Sequence, residues 1–285
     1  MTLYSNNGRF AGGRKPKRKG LKIALIAVLA LLLLAAGGVG LFLLGNHNAD
    51  ADFQKMAAQV QEKTAETTVI TTPAETTQTE ETIAETTAPT QATQPTILPQ
   101  YAQLYQQNPD MVGWIKIEGT AIDYPVMHTP ADPEKYLHVN FEGAYSYPGV
   151  PFVDAACTMD SDNLLIYGHN MPNGTMFRSL MQYQQKNFWQ NHPTIVFNTL
   201  YEEQEYEVLA AFYDRVYYKT EDVFKFYQFI DPETEEEFDE GIAQFKEKAL
   251  YDTGVTAEYG DRLITLVTCA YHTDHGRFVV VARRK

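Results

Sequence analysis

Hydrophobic and polar positions divide the chain into three regimes. Ile23 to Leu44 is an almost unbroken apolar run, IALIAVLALLLLAAGGVGLFLL. At about 1.5 Å per residue, a helix of that length crosses a hydrocarbon layer of ~30 Å. From 46 to 100 the apolar residues thin out, and Phe53 is the one aromatic of the stretch. From Tyr101 to Lys285 short apolar runs return, with turn residues between them. These runs predict strands at Trp114–Glu118, Ile122–Val126, Val150–Asp154, Asn163–Tyr167, Thr194–Asn198, Tyr206–Tyr213, Leu263–Thr268 and Phe278–Ala282. Helices are predicted at Tyr101–Gln107, Met176–Trp189 and Glu233–Leu250. In the last of these, Phe238, Ile242, Phe245 and Ala249 recur at helical spacing with charges between them. About eight strands with inserted helices and a helix in front predict a mainly β domain, a closed or nearly closed β-barrel. A Greek-key sandwich would give the same pattern.

Charge turns the first regime into a topology signal. Residues 1–22 hold seven Lys/Arg and no acid, whereas the other 263 residues hold 16 basic and 36 acidic side chains, a net of −20. Basic residues flanking one end of an apolar run place that end in the cytoplasm. The expectation is a cytoplasmic segment 1–22, a transmembrane anchor 23–44 in the lipid bilayer, and everything after it outside the cell. A cleaved signal peptide is the competing reading, with small residues at Leu34-Ala35-Ala36-Gly37, but the apolar run continues to Leu44. The acidic body disfavours a nucleic-acid partner, which needs a basic surface. Residues 45–100 read as a disordered stalk: Thr64–Thr96 holds 14 threonines in 33 residues, too little apolar surface to offset chain entropy. Within it, 50–63 has the length of a short helix but poor apolar spacing. The folded domain is then 101–285.

The chemistry concentrates near the C-terminus. A strand pattern ends in Cys269, seven residues follow, and Arg277 opens the next strand pattern. A connection that short joins antiparallel neighbours, so thiol and guanidinium come to the same end of the sheet. A guanidinium beside a thiol favours the thiolate and can donate to an oxyanion. A proton carrier is needed, and His169 ends another apolar strand at Tyr167-Gly168-His169-Asn170. The bland readings are a packed cysteine and a histidine that caps a turn. Cys269-x-x-His272-x-x-His275 lacks the second ligand pair of a structural zinc site, so no metal is assigned. Cys157 reads as a partly buried free thiol, and the aromatics of Tyr217–Phe229 as core or cleft wall.

Three segments, Tyr167-Gly168-His169-Asn170, Thr265-Leu266-Val267-Thr268-Cys269 and Gly276-Arg277-Phe278-Val279-Val280, resemble the His, Cys and Arg motifs of the sortases, in the family's order. The helix placed before the cysteine strand and the leading helix resemble class B, as do Tyr136-Leu137, Asn140 and Gly143; Val267 stands where class B members often carry serine. The resemblance implies a membrane-anchored transpeptidase that cuts a sorting motif after its threonine. In it Cys269 is the nucleophile, His169 the acid and base, and Arg277 the holder of the oxyanion and of the substrate. It also implies substrate contacts from Thr268, Tyr271, Asn140 and Leu137. The acceptor would be an amine of the cell wall or of another surface protein, and no cofactor is required. A hydrolytic cysteine peptidase and a non-catalytic stalked binding module are the alternatives.

Overall fold

A computed structural model describes residues 27–33, 35, 37, 50–66 and 96–285, in two units, 1–45 and 46–285. In the first unit residues 27–33 are helical and exposed. Among the described residues no helix is long and apolar enough to cross a membrane. The basic segment 1–22 and most of the predicted anchor 23–44 lie outside the described residues.

The second unit is built on eight strands: β1 (Met111–Lys116), β2 (Asp123–Met127), β3 (Phe152–Val153), β4 (Asn163–Tyr167), β5 (Thr194–Thr199), β6 (Glu205–Arg215), β7 (Leu263–Cys269) and β8 (Gly276–Arg284). They close into a barrel in the order β1-β2-β3-β4-β7-β8-β6-β5. The expected eight-stranded barrel is therefore present, and the sandwich is excluded. β2–β3 and β4–β7 pair in parallel; the other neighbours are antiparallel. Alternation decides the faces. Ile264 and Leu266 turn into the main core with Val280 and Ala282. Leu263 and Val267 turn outward with Val279 and Val281, into a second apolar layer. Helix α4 (Glu235–Lys248) covers that layer with Phe238, Ile242 and Phe245. Phe226 and Phe229, from the aromatic-rich loop before α4, pack there too, with Phe224 and Tyr227 against them, so this part of the cluster is core, whereas Tyr218 is exposed.

Three elements differ from their sequence patterns. β3 is two residues long because Pro151 has no N–H to offer a ladder, and Asp154 already turns the chain, its carboxylate accepting from the Ala156 N–H at 2.9 Å. The pattern at 176–189 folds as a 3₁₀ helix (Phe177–Gln184) and a short α-helix, α3 (Lys186–Asn191), broken by extended Gln185. Its buried residues Phe177, Leu180 and Tyr183 repeat every third position, the period of a 3₁₀ turn. The stalk reading fails at 50–66, which is a helix, α1. Phe53, Met56 and Val60 of α1 are buried in the main core, and Phe53 meets Tyr124 edge-on at 5.2 Å. These positions are spaced i, i+3, i+7 and do form one helical face. Helix α2 (Pro99–Gln107) also packs on the barrel through Tyr101 and Leu104. The threonine-rich run 67–95 lies outside the described residues.

Candidate active site

Strand register assembles the site. Along the parallel pair β4–β7, Asn163 faces Leu263 and the match continues to Tyr167 opposite Val267. His169 and Cys269 each lie two residues past that last pair, at one end of neighbouring strands that run about 4.8 Å apart. Across the antiparallel pair β7–β8, Cys269 is directly opposite Arg277. The parity of Val267 and Val279 puts Cys269 and Arg277 on the outward side of the barrel. The three side chains line one cleft of about 330 Å³ with Tyr136, Leu137 and Tyr167.

The two strand ends are laced together by side chains. The Thr268 hydroxyl donates to the Gly168 carbonyl at 2.7 Å. The Asn170 amide donates to the Cys269 carbonyl at 2.7 Å and accepts from the Arg178 guanidinium at 3.0 Å. Gly168 is obligatory in this junction: a Cβ there would sit 2.6 Å from the Phe177 ring. Thr268 is buried, so its hydroxyl serves the backbone of the site.

The His169 ring nitrogen Nε2 lies 2.9 Å from the Leu137 carbonyl. A carbonyl can only accept, so Nε2 carries the hydrogen and the neutral ring keeps Nδ1 as its base. Burial holds the His169 pKa below the ordinary histidine value; the Leu137 carbonyl opposes that shift and the charge of His138 adds to it. Arg277 curls over its own loop, its guanidinium donating to the carbonyls of His275 and Gly276 at 3.2 and 3.0 Å. Beyond it Tyr167 donates to the Asp154 carboxylate at 2.9 Å.

Other sequence expectations separate here. Cys157 is a buried free thiol, pushed by burial up to about 11, and its sulfur reaches the Asn163 carbonyl at 3.6 Å. Leu137 lines the cleft and also holds His169. Asn140 instead closes a turn, its side chain accepting from the Ala144 N–H at 2.7 Å. Tyr271 is 85% exposed on the β7–β8 loop; neither it nor Asn140 lines the cleft. His272 meets the Tyr213 ring edge-on at 4.8 Å. No group of three metal-ligating side chains forms among the described residues. Sequence reasoning missed Arg178 and the pair His138 and Tyr147 around His169. The signal for the last two was the density of rings in YLHVNFEGAYSY, residues 136–147.

A family model described as the Sortase domain matches residues 115–285. The chain is 35% identical over 181 residues to Sortase B of Listeria monocytogenes, covering 62% of this chain and 70% of that one. It is 31% identical over 191 residues to Sortase B of Staphylococcus aureus, covering 66% and 75%. Among solved structures, a Staphylococcus aureus sortase B–substrate complex matches with a TM-score of 0.59 at 30% identity, over 66% of this chain and 86% of the other.

Proposed function

The chain belongs to the sortase family and is a class B cysteine transpeptidase; from there, we propose that it acts on secreted proteins outside the cell, held in the membrane by residues 23–44 with its N-terminus in the cytoplasm. Its substrate is the C-terminal sorting motif of such a protein, cut after threonine. Its acceptor is an amine of the cell wall or of another surface protein.

The observation that carries this reading is the meeting of Cys269, His169 and Arg277 on one cleft wall. The substrate complex of the Staphylococcus aureus relative supports a peptide in that cleft. The Cys269 thiol gives its proton to Nδ1 of His169, and the sulfur attacks the threonine carbonyl carbon. The carbonyl electron pair moves onto oxygen, and the Arg277 guanidinium turns from its own loop to meet that charge. When the oxyanion collapses the C–N bond breaks, and the leaving amine takes the proton from the imidazolium, leaving a thioester on Cys269. The incoming amine then attacks the thioester, His169 accepts its proton and returns it to the departing thiolate. One amide is exchanged for another, so no oxidant or cofactor enters.

The test incubates the full chain in detergent with a threonine-containing sorting peptide and an amine. Expected are a ligated product and a Cys269-linked acyl adduct, both absent from Cys269→Ala. Hydrolysis without any ligated product rejects the transferase reading, and full activity in Cys269→Ala rejects the site.

A further inference from the structure

His169 is held by one loop. The segment between β2 and β3 supplies the Leu137 carbonyl to its Nε2 and packs two more rings against its face. The His138 and His169 ring centroids are 5.3 Å apart with planes 20° from parallel. Tyr147 and His169 are 6.1 Å apart at 9°, and His138 and Tyr147 are 5.6 Å apart at 22°. The three rings form a triangle of nearly parallel planes, and His138 Nδ1 is 3.0 Å from the Tyr147 carbonyl. Offset, near-parallel rings at these separations attract, and stacking the half-buried His138 and His169 against Tyr147, itself 43% exposed, restricts rotation of each.

The loop itself is built to stay in place. Tyr136 is buried; its hydroxyl donates to the Asp110 carboxylate and accepts from Asn108, both at 2.8 Å. The Val150 N–H donates to the Tyr136 carbonyl at 3.0 Å. Gly149 has φ +58°, and a Cβ there would lie 2.6 Å from the Leu137 carbonyl oxygen, so the acceptor of His169 sits where only glycine lets it. The Asn140–Ala144 turn and the Val139–Tyr145 bridge return the chain so that Tyr147 meets His138.

We infer that His138 is a positioning residue for transpeptidation: its ring, backed by Tyr147, packs flat on the His169 imidazole and keeps Nε2 on the Leu137 carbonyl, leaving Nδ1 for proton transfer. This rests on the proposed role of His169. It assigns to a neighbouring imidazole and a main-chain carbonyl the orienting task that a carboxylate performs in Ser-His-Asp sites.

The full chain in detergent, with the same peptide and amine, tests it through His138→Ala and His138→Phe, in protein carrying ¹⁵N-labelled histidine. His138→Ala lowers kcat about 10- to 100-fold, as a misplaced reacting group does, with KM for the peptide within about twofold of the parent. Its ¹⁵N spectrum shows His169 passing from the Nε2–H tautomer to a mixture. His138→Phe keeps a flat ring and recovers both kcat and the single tautomer. If His138→Ala does not fold, Tyr147→Ala replaces it, with the same kcat and tautomer changes expected. Parental kcat in the alanine variant, a loss of kcat with the His169 tautomer unchanged, or a Phe variant no better than Ala overturns the inference. Those results leave the catalytic reading standing as long as Cys269→Ala is inactive; an active Cys269→Ala removes that reading instead.

Discussion

His169 leaves β4 for a setting that works against its charged form, because burial withholds water from the imidazolium and His138 adds a like charge. The folded chain therefore binds this proton less readily than the unfolded chain, whose histidine titrates near 6.5. Neutral His169 then contributes stability that is fully present above about pH 6.5 and is lost as pH falls through the folded-state value. NMR titration of labelled histidine checks this: the His169 midpoint lies below the ordinary 6.5, and His169→Gln removes that part of the acid destabilisation. A midpoint at or above 6.5 contradicts it. The residue types of the site were legible in the sequence because each ends or opens an apolar strand, at His169, Cys269 and Arg277. Their orientation was not. Nε2 is held by a main-chain carbonyl, and a carbonyl has no residue-type signature; the Asn170 bond to the Cys269 carbonyl is hidden for the same reason.

Strands were easier to read than helices. All eight appear, since alternation survives wherever one face is buried and the other is covered by something different. The exceptions have local causes: Pro151 shortens β3, and a three-residue repeat turns an expected α-helix into a 3₁₀ helix. Helix α1 was obscured by its polar surroundings, although Phe53, Met56 and Val60 share one face. That face makes a measurable claim. Phe53 is 3% exposed and packs edge-on against Tyr124, so Phe53→Ala should cost about 3 kcal/mol of unfolding free energy, the usual loss for a buried aromatic. Denaturant titration reads it directly. A loss below about 0.5 kcal/mol, the level of an exposed surface substitution, means that α1 does not contribute to the folded unit.

The distribution of charge and apolar residues over the whole chain makes the last claim. A basic leader, an apolar run of anchor length and an acidic body follow one another in the order from which we propose an N-terminus inside and a C-terminus outside. Two fractionations follow. The full chain stays with membranes through alkaline carbonate washing, whereas a chain lacking residues 1–45 is released; release of the full chain rejects the anchor. Protease added to intact cells removes the barrel from the membrane-bound chain, and protection of the barrel rejects the outward orientation. Deleting 67–95 changes neither result and leaves transpeptidation of a free peptide intact, because α1 before the run and α2 after it both pack into the main core. If the deletion instead uncouples the barrel from its substrates at the cell surface while activity on a free peptide persists, the run acts as a tether despite the docking of α1, and the fold of 50–66 does not describe the chain at the membrane.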